Sequence, residues 1–197
     1  MHLSPSPEPV VHRMPARRFV IAGGPGSGKS TLIEALSDAG EICYEESSRV
    51  LIREQLAQGG RLVPWGNLAA FAEECSERMR AQIAHSAYRG LCFFDRGLPD
   101  LMGYLSRAGC AAPDEWRAAS RAYASVVFFA PPWREIFLND AERPQTFDEA
   151  QELSAHIRRA YCDCGFQIIE LVKGSVADRR RQVLDYLDTN RELRGHG

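Results

Sequence analysis

Eight consecutive residues near the N-terminus have the types and spacing needed to bind a polyphosphate. They occupy positions 23–30 and match the pattern G-x-x-x-x-G-K-[ST] in full. Glycines let the backbone curl so that successive N–H groups point at phosphate oxygens, with no side chain in the way. The lysine can reach the β- and γ-phosphates, and the final hydroxyl can ligate Mg²⁺. The predicted nucleotide-binding residues are Gly23, Gly24, Pro25, Gly26, Ser27, Gly28, Lys29, Ser30 and Thr31.

The context of this motif favours a nucleotide site over the alternative, a glycine-rich turn without a ligand. An apolar run at 19–22 precedes it, and apolar residues at helical spacing follow it. A loop between a strand and a helix presents phosphates to the positive end of the helix dipole. From the residue frequencies of this chain, the motif arises by chance about once in a thousand chains. We therefore expect ATP and Mg²⁺ as cofactors, with Lys29 catalytic and Ser30 a metal ligand.

Further candidates follow the apolar run at 91–94. Asp95 ends that run, and buried parallel strands turn polar at their carboxyl ends. Its carboxylate could orient Mg²⁺ or accept a proton from an attacking hydroxyl, which makes it a catalytic and metal-binding candidate. Arg96 is a second catalytic candidate, and the alternative is a surface ion pair between the two. Asp100 is either the acidic residue of a helix start or a contact to the acceptor.

Glu46 and Arg49 are candidates for binding an acceptor molecule. They are three residues apart at the start of a predicted helix, so they share one face of it. That helix follows the second strand, and ligands of open α/β sheets lie outside the carboxyl ends of the strands. Glu46 would hold an acceptor hydroxyl and Arg49 a negative group. The alternative is that Glu46 complements the helix dipole while Arg49 is solvated.

The segment after the fourth strand carries two candidates for a lid over the phosphates. Phosphoryl transfer needs positive charge over the transferring group and the exclusion of water. Arg134 and Arg143 could supply that charge as catalytic residues, although arginines of a solvated helix would look the same. The basic triplet at 179–181 is predicted to be a solvated helix face. With a net charge of −2, it gives poor support for nucleic-acid binding.

Strands alternating with helices must position these residues. Such alternation predicts an α/β fold with a mostly parallel sheet covered on both faces. A flexible Pro-rich tail at 1–16 is expected before a single domain at 17–197. The predicted strands are 19–22, 42–44, 91–94, 125–130 and 166–171, and the predicted helices run from the phosphate loop to Gly40, then over 46–58, 67–88, 146–164 and 175–190.

Composition excludes several other classes of protein. The chain has 197 residues, of which 45% are hydrophobic and 25% charged, so a disordered or collagen-like chain is excluded. It contains neither an apolar run of membrane-spanning length nor the apolar stretch of a signal peptide, so we expect a cytoplasmic protein. The six cysteines are expected to be reduced thiols that fill the core. The aromatic residues at 65–71 are expected in the core, with an acceptor pocket as the alternative.

With these residues in hand, the chain resembles a family of AAA-labelled predicted ATPases or kinases. Within the P-loop proteins this family lies near the ribosylnicotinamide kinase domain and the nucleoside and nucleotide kinases. The resemblance implies a three-layer P-loop kinase-like fold, a five-stranded sheet in the order 2-3-1-4-5, a lid over the phosphates and adenine near 174–176. The matching landmarks are GGPGSGKST (23–31), E-x-x-R (46–49), LIREQ (51–55), PW (64–65), FFDRG-x-x-D (93–100), APPWREI-x-x-ND-x-ER (130–143) and GS-V (174–176).

The sequence thus predicts phosphoryl transfer from ATP to a small metabolite, a nucleoside- or nucleotide-like alcohol. The expected partners are ATP and this acceptor, without nucleic acid or membrane, and no oligomeric state is predicted. The alternative from another class is a regulatory ATP-binding switch that hydrolyses slowly and acts through a protein partner. An enclosed cavity beside the γ-phosphate would favour the kinase, whereas an open apolar surface there would favour the switch.

Overall fold

A computed structural model describes residues 16–87, 89–138 and 145–190. Most of the predicted tail at 1–16 and the second lid candidate, Arg143, lie outside this part of the chain. The strands are β1 (Arg17–Ala22), β2 (Ile42–Tyr44), β3 (Leu91–Asp95), β4 (Val126–Phe129) and β5 (Gln167–Glu170). The helices are α1 (Lys29–Asp38), α2 (Ser47–Gln58), α3 (Leu68–His85), α4 (Leu98–Arg107), α5 (Asp114–Ala119), α6 (Phe147–Asp163) and α7 (Val176–Thr189), with short 3-10 turns at Ser120–Ala122 and Arg134–Ile136.

The five strands form one parallel sheet in the order β2-β3-β1-β4-β5, which confirms the predicted fold. The central strand β1 pairs with β3 on one side and with β4 on the other. Its register places Ile21 opposite Asp95, so the end of β1 and the end of β3 lie side by side. The phosphate-binding loop follows β1 directly, and this register therefore brings Asp95 to its edge.

Helices cover both faces of the sheet. One core cluster lies between the sheet and α2 to α6 and contains Phe94, Phe71, Leu101 and Ile157. The other lies between the sheet and the pair α1 and α7. Among the described residues, no helix is long and apolar enough to cross a membrane.

Two helices between β3 and β4, α4 and α5, were not predicted by the sequence pattern. Helix α4 is ten residues long and buries Pro99, Asp100 and Gly103 together with its apolar residues, so residue types that are typical of loops occupy its buried face. It packs tightly on α6: a Cβ added at Gly103 would lie 2.6 Å from the Cα of Ile157. Helix α3 also ends at His85, slightly before the predicted end near 88.

The structure corrects two expectations about the core. Cys75 and Cys92 are buried as expected, but Cys110 and Cys162 are exposed on the surface. Trp65 was expected in the core, yet 56% of it is exposed. It precedes α3 in a loop, and its ring lies at the mouth of a cavity described below.

Candidate functional site

The phosphate-binding motif forms a tight loop between β1 and α1. Gly28 caps α1 at a φ of 78°, a left-handed conformation that side chains other than glycine rarely adopt. A side chain at Gly23 would collide with the carbonyl oxygen of Ala130 at the end of β4. Inside the loop the ammonium of Lys29 donates to the carbonyl oxygen of Gly24 over 2.7 Å, and Lys29 is 3% exposed. A buried ammonium is therefore held where a polyphosphate would bind.

Asp95 and Ser30 meet at the edge of this loop. The hydroxyl of Ser30 donates to Oδ2 of Asp95 over 2.8 Å, while Oδ1 of Asp95 is buried and accepts no hydrogen bond from the described residues. Burial raises the pKa of the Asp95 carboxyl, and the nearby Glu46 carboxylate raises it further. A hydroxyl and a carboxylate with an unused oxygen are the oxygen ligands that Mg²⁺ prefers, so these two residues fit that ion.

Arg96 is held in an unusual backbone conformation at the centre of the site. Its φ is 74°, which makes it the one non-glycine residue with positive φ among the described residues. Strain of this kind persists where the surrounding structure fixes it, and it clusters at functional sites. The strand-end turn lets the Arg96 backbone N–H donate to Ile21 and sends the side chain back towards the phosphate loop, where Nη1 donates to the carbonyl oxygen of Gly23 over 3.0 Å.

The guanidinium of Arg96 binds two buried carboxylates. Its Nε lies 2.8 Å from Oε1 of Glu46, and its Nη1 lies 3.2 Å from Oδ1 of Asp100. Burial alone would lower the pKa of Arg96, but the two carboxylates hold it well above its ordinary value. The ion pairs of Arg96 thus join β3, α2 and α4, and they are buried rather than on the surface.

Asp100 is the acidic residue of a helix start, one of the two roles that the sequence left open, and the structure does not place it among the residues that line the cavity described below. Its Oδ2 accepts from the backbone N–H of Gly97, which caps α4, and from the hydroxyl of Tyr161 over 2.6 Å. Its other oxygen binds Arg96. Asp100 is 0% exposed, so its carboxylate binds the Arg96 guanidinium without contact with solvent.

A cavity of about 260 Å³ opens next to this ion pair. Glu46 and Arg96 are its most deeply buried polar residues, and Nη2 of Arg96 is buried with no hydrogen-bond partner among the described residues. Most of the wall is apolar, and residues of α2, α3, α4 and α6 line the cavity, which is partly open to solvent. Its apolar and aromatic lining includes Ile52, Trp65, Leu68, Phe71, Leu101 and Tyr104.

Arg49 borders a second, smaller cavity on the other side of Glu46. This space of about 220 Å³ is lined by Ser30 and Asp95 as well as by Glu46 and Arg49. The predicted shared face of Glu46 and Arg49 is therefore directed towards the proposed metal ligands. The structure brings all four of these residues together.

The first lid candidate, Arg134, contacts α6 rather than the phosphate loop in the described part of the chain. Its side chain is 70% exposed, pairs with Asp148 of α6 at 3.1 Å and stacks 4.2 Å from the centre of the Phe147 ring. Apolar residues of the same segment cover the loop instead. A Cβ at Gly26 would lie 2.5 Å from the ring of Phe137.

Arg179 is a further residue that the sequence interpretation placed wrongly. It was expected on a solvated helix face, but it is 2% exposed and its Nη1 donates to the carbonyl oxygen of Ser27 in the phosphate loop over 2.7 Å. The helical spacing carried a signal for this position, because Arg179 shares a face of α7 with the buried residues Val183 and Leu187.

A family model described as an AAA domain matches residues 18–179 of the chain. The chain belongs to this AAA domain family. The match confirms the predicted resemblance, and it covers the phosphate loop, the Glu46–Arg96 pair and the segment up to Arg179. Comparison with curated protein sequences gives no significant match.

Solved structures similar to this AAA domain include several kinases. Thymidylate kinase from Candida albicans is 15% identical, with a TM-score of 0.57 over 91% of this chain and 94% of that one. Shikimate kinase from Acinetobacter baumannii, in complex with shikimate, is 16% identical, with a TM-score of 0.57 over 90% and 95%. NadR in complex with NR is 17% identical with a TM-score of 0.63, and this chain covers 52% of that protein. At these identities the likeness establishes the fold.

Proposed function

We propose that this protein is an ATP- and Mg²⁺-dependent kinase that phosphorylates a hydroxyl group of a small, ring-bearing metabolite. One observation carries the proposal: the buried Glu46–Arg96 pair connects the phosphate loop to a largely apolar cavity. A site for hydrolysis alone has no need of such a cavity. A kinase needs it in order to hold an acceptor beside the γ-phosphate and keep water away.

The donor side of the site is formed by the phosphate loop. The loop amides and Lys29 would bind the β- and γ-phosphates and stabilise the negative charge that develops during transfer. Ser30 and Asp95 would hold Mg²⁺, which neutralises phosphate charge when bound. The ionised Asp95 carboxylate is the form that fits this role, with its unused Oδ1 available as a ligand.

The acceptor side is formed by Glu46 and Arg96. The Glu46 carboxylate would accept a hydrogen bond from the reacting hydroxyl and can take up its proton. Nη2 of Arg96 is buried and forms no hydrogen bond with the described residues, and on this proposal it would donate to a second oxygen of the acceptor. Arg49, on the far side of Glu46, would address a negative group near the transferring phosphate.

The charge balance of the large cavity favours an uncharged acceptor. Both charges deepest in the cavity belong to the Glu46–Arg96 pair, and Asp100 neutralises Arg96 further. Arg107 also lines the cavity, and it is paired with Glu152. A phosphate group brought into the cavity would therefore meet a carboxylate and no uncompensated cation. Trp65, Phe71 and Tyr104 offer aromatic surface to a flat ring. A nucleoside-like alcohol fits this lining better than a nucleoside monophosphate or a hydroxy acid.

The test is ATP consumption in the presence of Mg²⁺ with a panel of nucleosides, nucleoside monophosphates and hydroxy acids. We expect one class of neutral nucleosides to stimulate turnover at least tenfold over the acceptor-free rate. Chelation of Mg²⁺ and the variant Lys29→Ala should each abolish turnover. Uniform slow hydrolysis without stimulation by any acceptor would contradict the kinase and support a regulatory switch instead.

Two variants test the assignment of the acceptor cavity. Trp65→Ala should raise the KM of the stimulating acceptor several-fold and leave ATP affinity unchanged, because the ring lies at the cavity mouth and away from the loop. Glu46→Gln should remove the stimulation while acceptor-free hydrolysis continues. Arg181→Ala, an exposed position on α7, is the matched control and should change neither property. Equal losses for ATP and acceptor in Trp65→Ala would refute the assignment.

A further inference from the structure

The wall of the acceptor cavity contains an amide whose oxygen the protein does not use. Gln145 lines this cavity, and its Oε1 is buried without a hydrogen-bond partner among the described residues. A buried carbonyl oxygen that lacks a donor is destabilising, so such groups are normally paired. The position of this oxygen in a cavity wall therefore indicates that a bound molecule supplies the missing donor.

The start of α6 fixes the backbone that carries this amide. Thr146 caps the helix directly after Gln145: its hydroxyl accepts from the backbone N–H of Glu149 over 3.3 Å, and its own backbone N–H donates to the Glu149 carboxylate over 2.7 Å. Leu153, further along α6, lines the same cavity. Gln145 is thus attached to a rigid element, which a residue needs in order to select a ligand by hydrogen bonding.

Other polar side chains of the cavity are already engaged. Ser48 donates to Oε1 of Glu46 over 2.6 Å, and Arg107 is held in its salt bridge to α6. Among the described residues that line the cavity, two buried side-chain atoms have no hydrogen-bond partner, the donor Nη2 of Arg96 and the acceptor Oε1 of Gln145. A complementary ligand therefore offers an acceptor to the first and an N–H or O–H donor to the second.

We propose that Gln145 selects the acceptor molecule, and that the preferred acceptor is a nucleoside whose base carries an N–H donor. Trp65, Phe71 and Tyr104 give the cavity the flat apolar surface that such a base packs on. The hydroxyls of a nucleoside belong to its sugar, whereas the donors of its base are amino or ring N–H groups. The reacting hydroxyl binds at Glu46 and the base N–H at Gln145. This inference rests on the proposed function, because it needs an acceptor in this cavity.

The hydrogen bond discriminates against a base that lacks the donor. Such a base would cover Oε1 of Gln145, remove it from water and leave it unpaired. A site built to hydrogen-bond its substrate rejects an analogue without the donor more strongly than an apolar wall does. Gln145→Met keeps the length of the side chain and removes the amide, so this variant should bind both kinds of base alike.

The experiment pairs the nucleoside that best stimulates turnover with an analogue that lacks the N–H donor. The analogue is purine riboside for a purine nucleoside, pyrimidin-2-one riboside for cytidine, and the 3-methyl derivative for uridine or thymidine. Calorimetry gives the Kd of each compound, and steady-state kinetics give kcat and KM, in wild type and in Gln145→Met. Gln145 is half-buried in the loop before α6, so methionine is compatible with folding there. The matched control is Gln151→Met, an exposed glutamine of α6 outside the cavity, which should change none of these values.

We expect wild type to bind the nucleoside about 5- to 100-fold more tightly than the analogue. Gln145→Met should raise the KM of the nucleoside by a similar factor and keep kcat within about threefold, because the interaction is made equally before and during transfer. The variant should also bind the two compounds within about threefold of each other.

Three results would overturn the role of Gln145 and leave the kinase standing. They are equal affinities of the two compounds for wild type, discrimination that persists in Gln145→Met, and strongest stimulation by an acceptor that has no N–H group. A wild-type protein whose ATP consumption no acceptor stimulates would overturn the proposed function as well.

Discussion

The Glu46–Arg96 ion pair allows a quantitative prediction about stability. The perturbation is a double-mutant cycle of Glu46→Gln and Arg96→Met. Both side chains are almost fully buried, at 6% and 1% exposure. Glutamine keeps the shape of Glu46 and an acceptor for Nε, while methionine keeps much of the volume of Arg96 without its charge. Because arginine and methionine both carry a Cβ, the backbone strain at φ 74° is the same in each protein.

The magnitude follows from the charges left behind. Arg96→Met leaves the carboxylates of Glu46 and Asp100 buried without their cation, and breaking such a pair costs about 3–5 kcal/mol. Glu46→Gln leaves Arg96 with Asp100, so we expect a smaller loss of about 1–3 kcal/mol. In the double variant position 46 carries no charge, so only the Asp100 carboxylate loses its cation. The two losses should therefore fail to add, with a coupling energy of about 1–3 kcal/mol.

The assay is urea unfolding followed by far-UV circular dichroism at neutral pH. An exposed pair of the same chemistry, Arg134 and Asp148, serves as the matched control, since its side chains are 70% and 87% exposed. The cycle of Arg134→Met and Asp148→Asn should show a coupling energy below about 1 kcal/mol. Additive losses at Glu46 and Arg96, within about 0.5 kcal/mol, would refute the view that these charges depend on each other.

Three further predictions concern the metal site, the core and a helix cap. Asp95→Asn should lower turnover by roughly 10²- to 10³-fold, because the proposed Mg²⁺ ligand loses its charge, while Mg-ATP affinity measured by calorimetry stays within a few-fold, and turnover at the wild-type rate would make Asp95 structural. Gly103→Ala should lower the free energy of unfolding by about 1–3 kcal/mol in urea titrations, because the new Cβ would lie 2.6 Å from the Cα of Ile157, and an unchanged midpoint would show that α4 and α6 can separate. Hydrogen bonds from Ser175 lower the pKa of Asp178. The ionised Asp178 therefore stabilises α7 at pH values above the ordinary pKa of aspartate. This stabilisation is lost as the pH falls through the lowered pKa of Asp178. The difference in unfolding free energy between wild type and Asp178→Asn should therefore shrink between about pH 7 and about pH 3, and a difference independent of pH would contradict the capping role.

Much of the fold could be predicted from the sequence because its determinants are local. A buried parallel strand must be apolar along its length and turn polar where it emerges, and the run ending at Asp95 shows this pattern. The phosphate loop needs glycine at a left-handed position and a lysine beside it, so its function is readable from eight residues. Helix α4 was missed for the opposite reason: Pro99 and Gly103, which are typical of loops, lie within its ten residues, and Gly103 is accommodated there by the close packing of α4 on α6.

The sequence by itself determined the phosphate loop, the alternation of strands and helices, and which acids and arginines stand near strand ends. Only the tertiary structure decided how those charges pair. Arg96 could have formed a surface pair with Asp95, but packing α2 and α4 against the sheet directs it to Glu46, 50 residues away, and to Asp100. Arg179 and Ser27 are 152 residues apart, and their contact exists because α1 and α7 pack side by side. Ion pairing and burial depend on distance in space, which the order of residues along a chain does not specify.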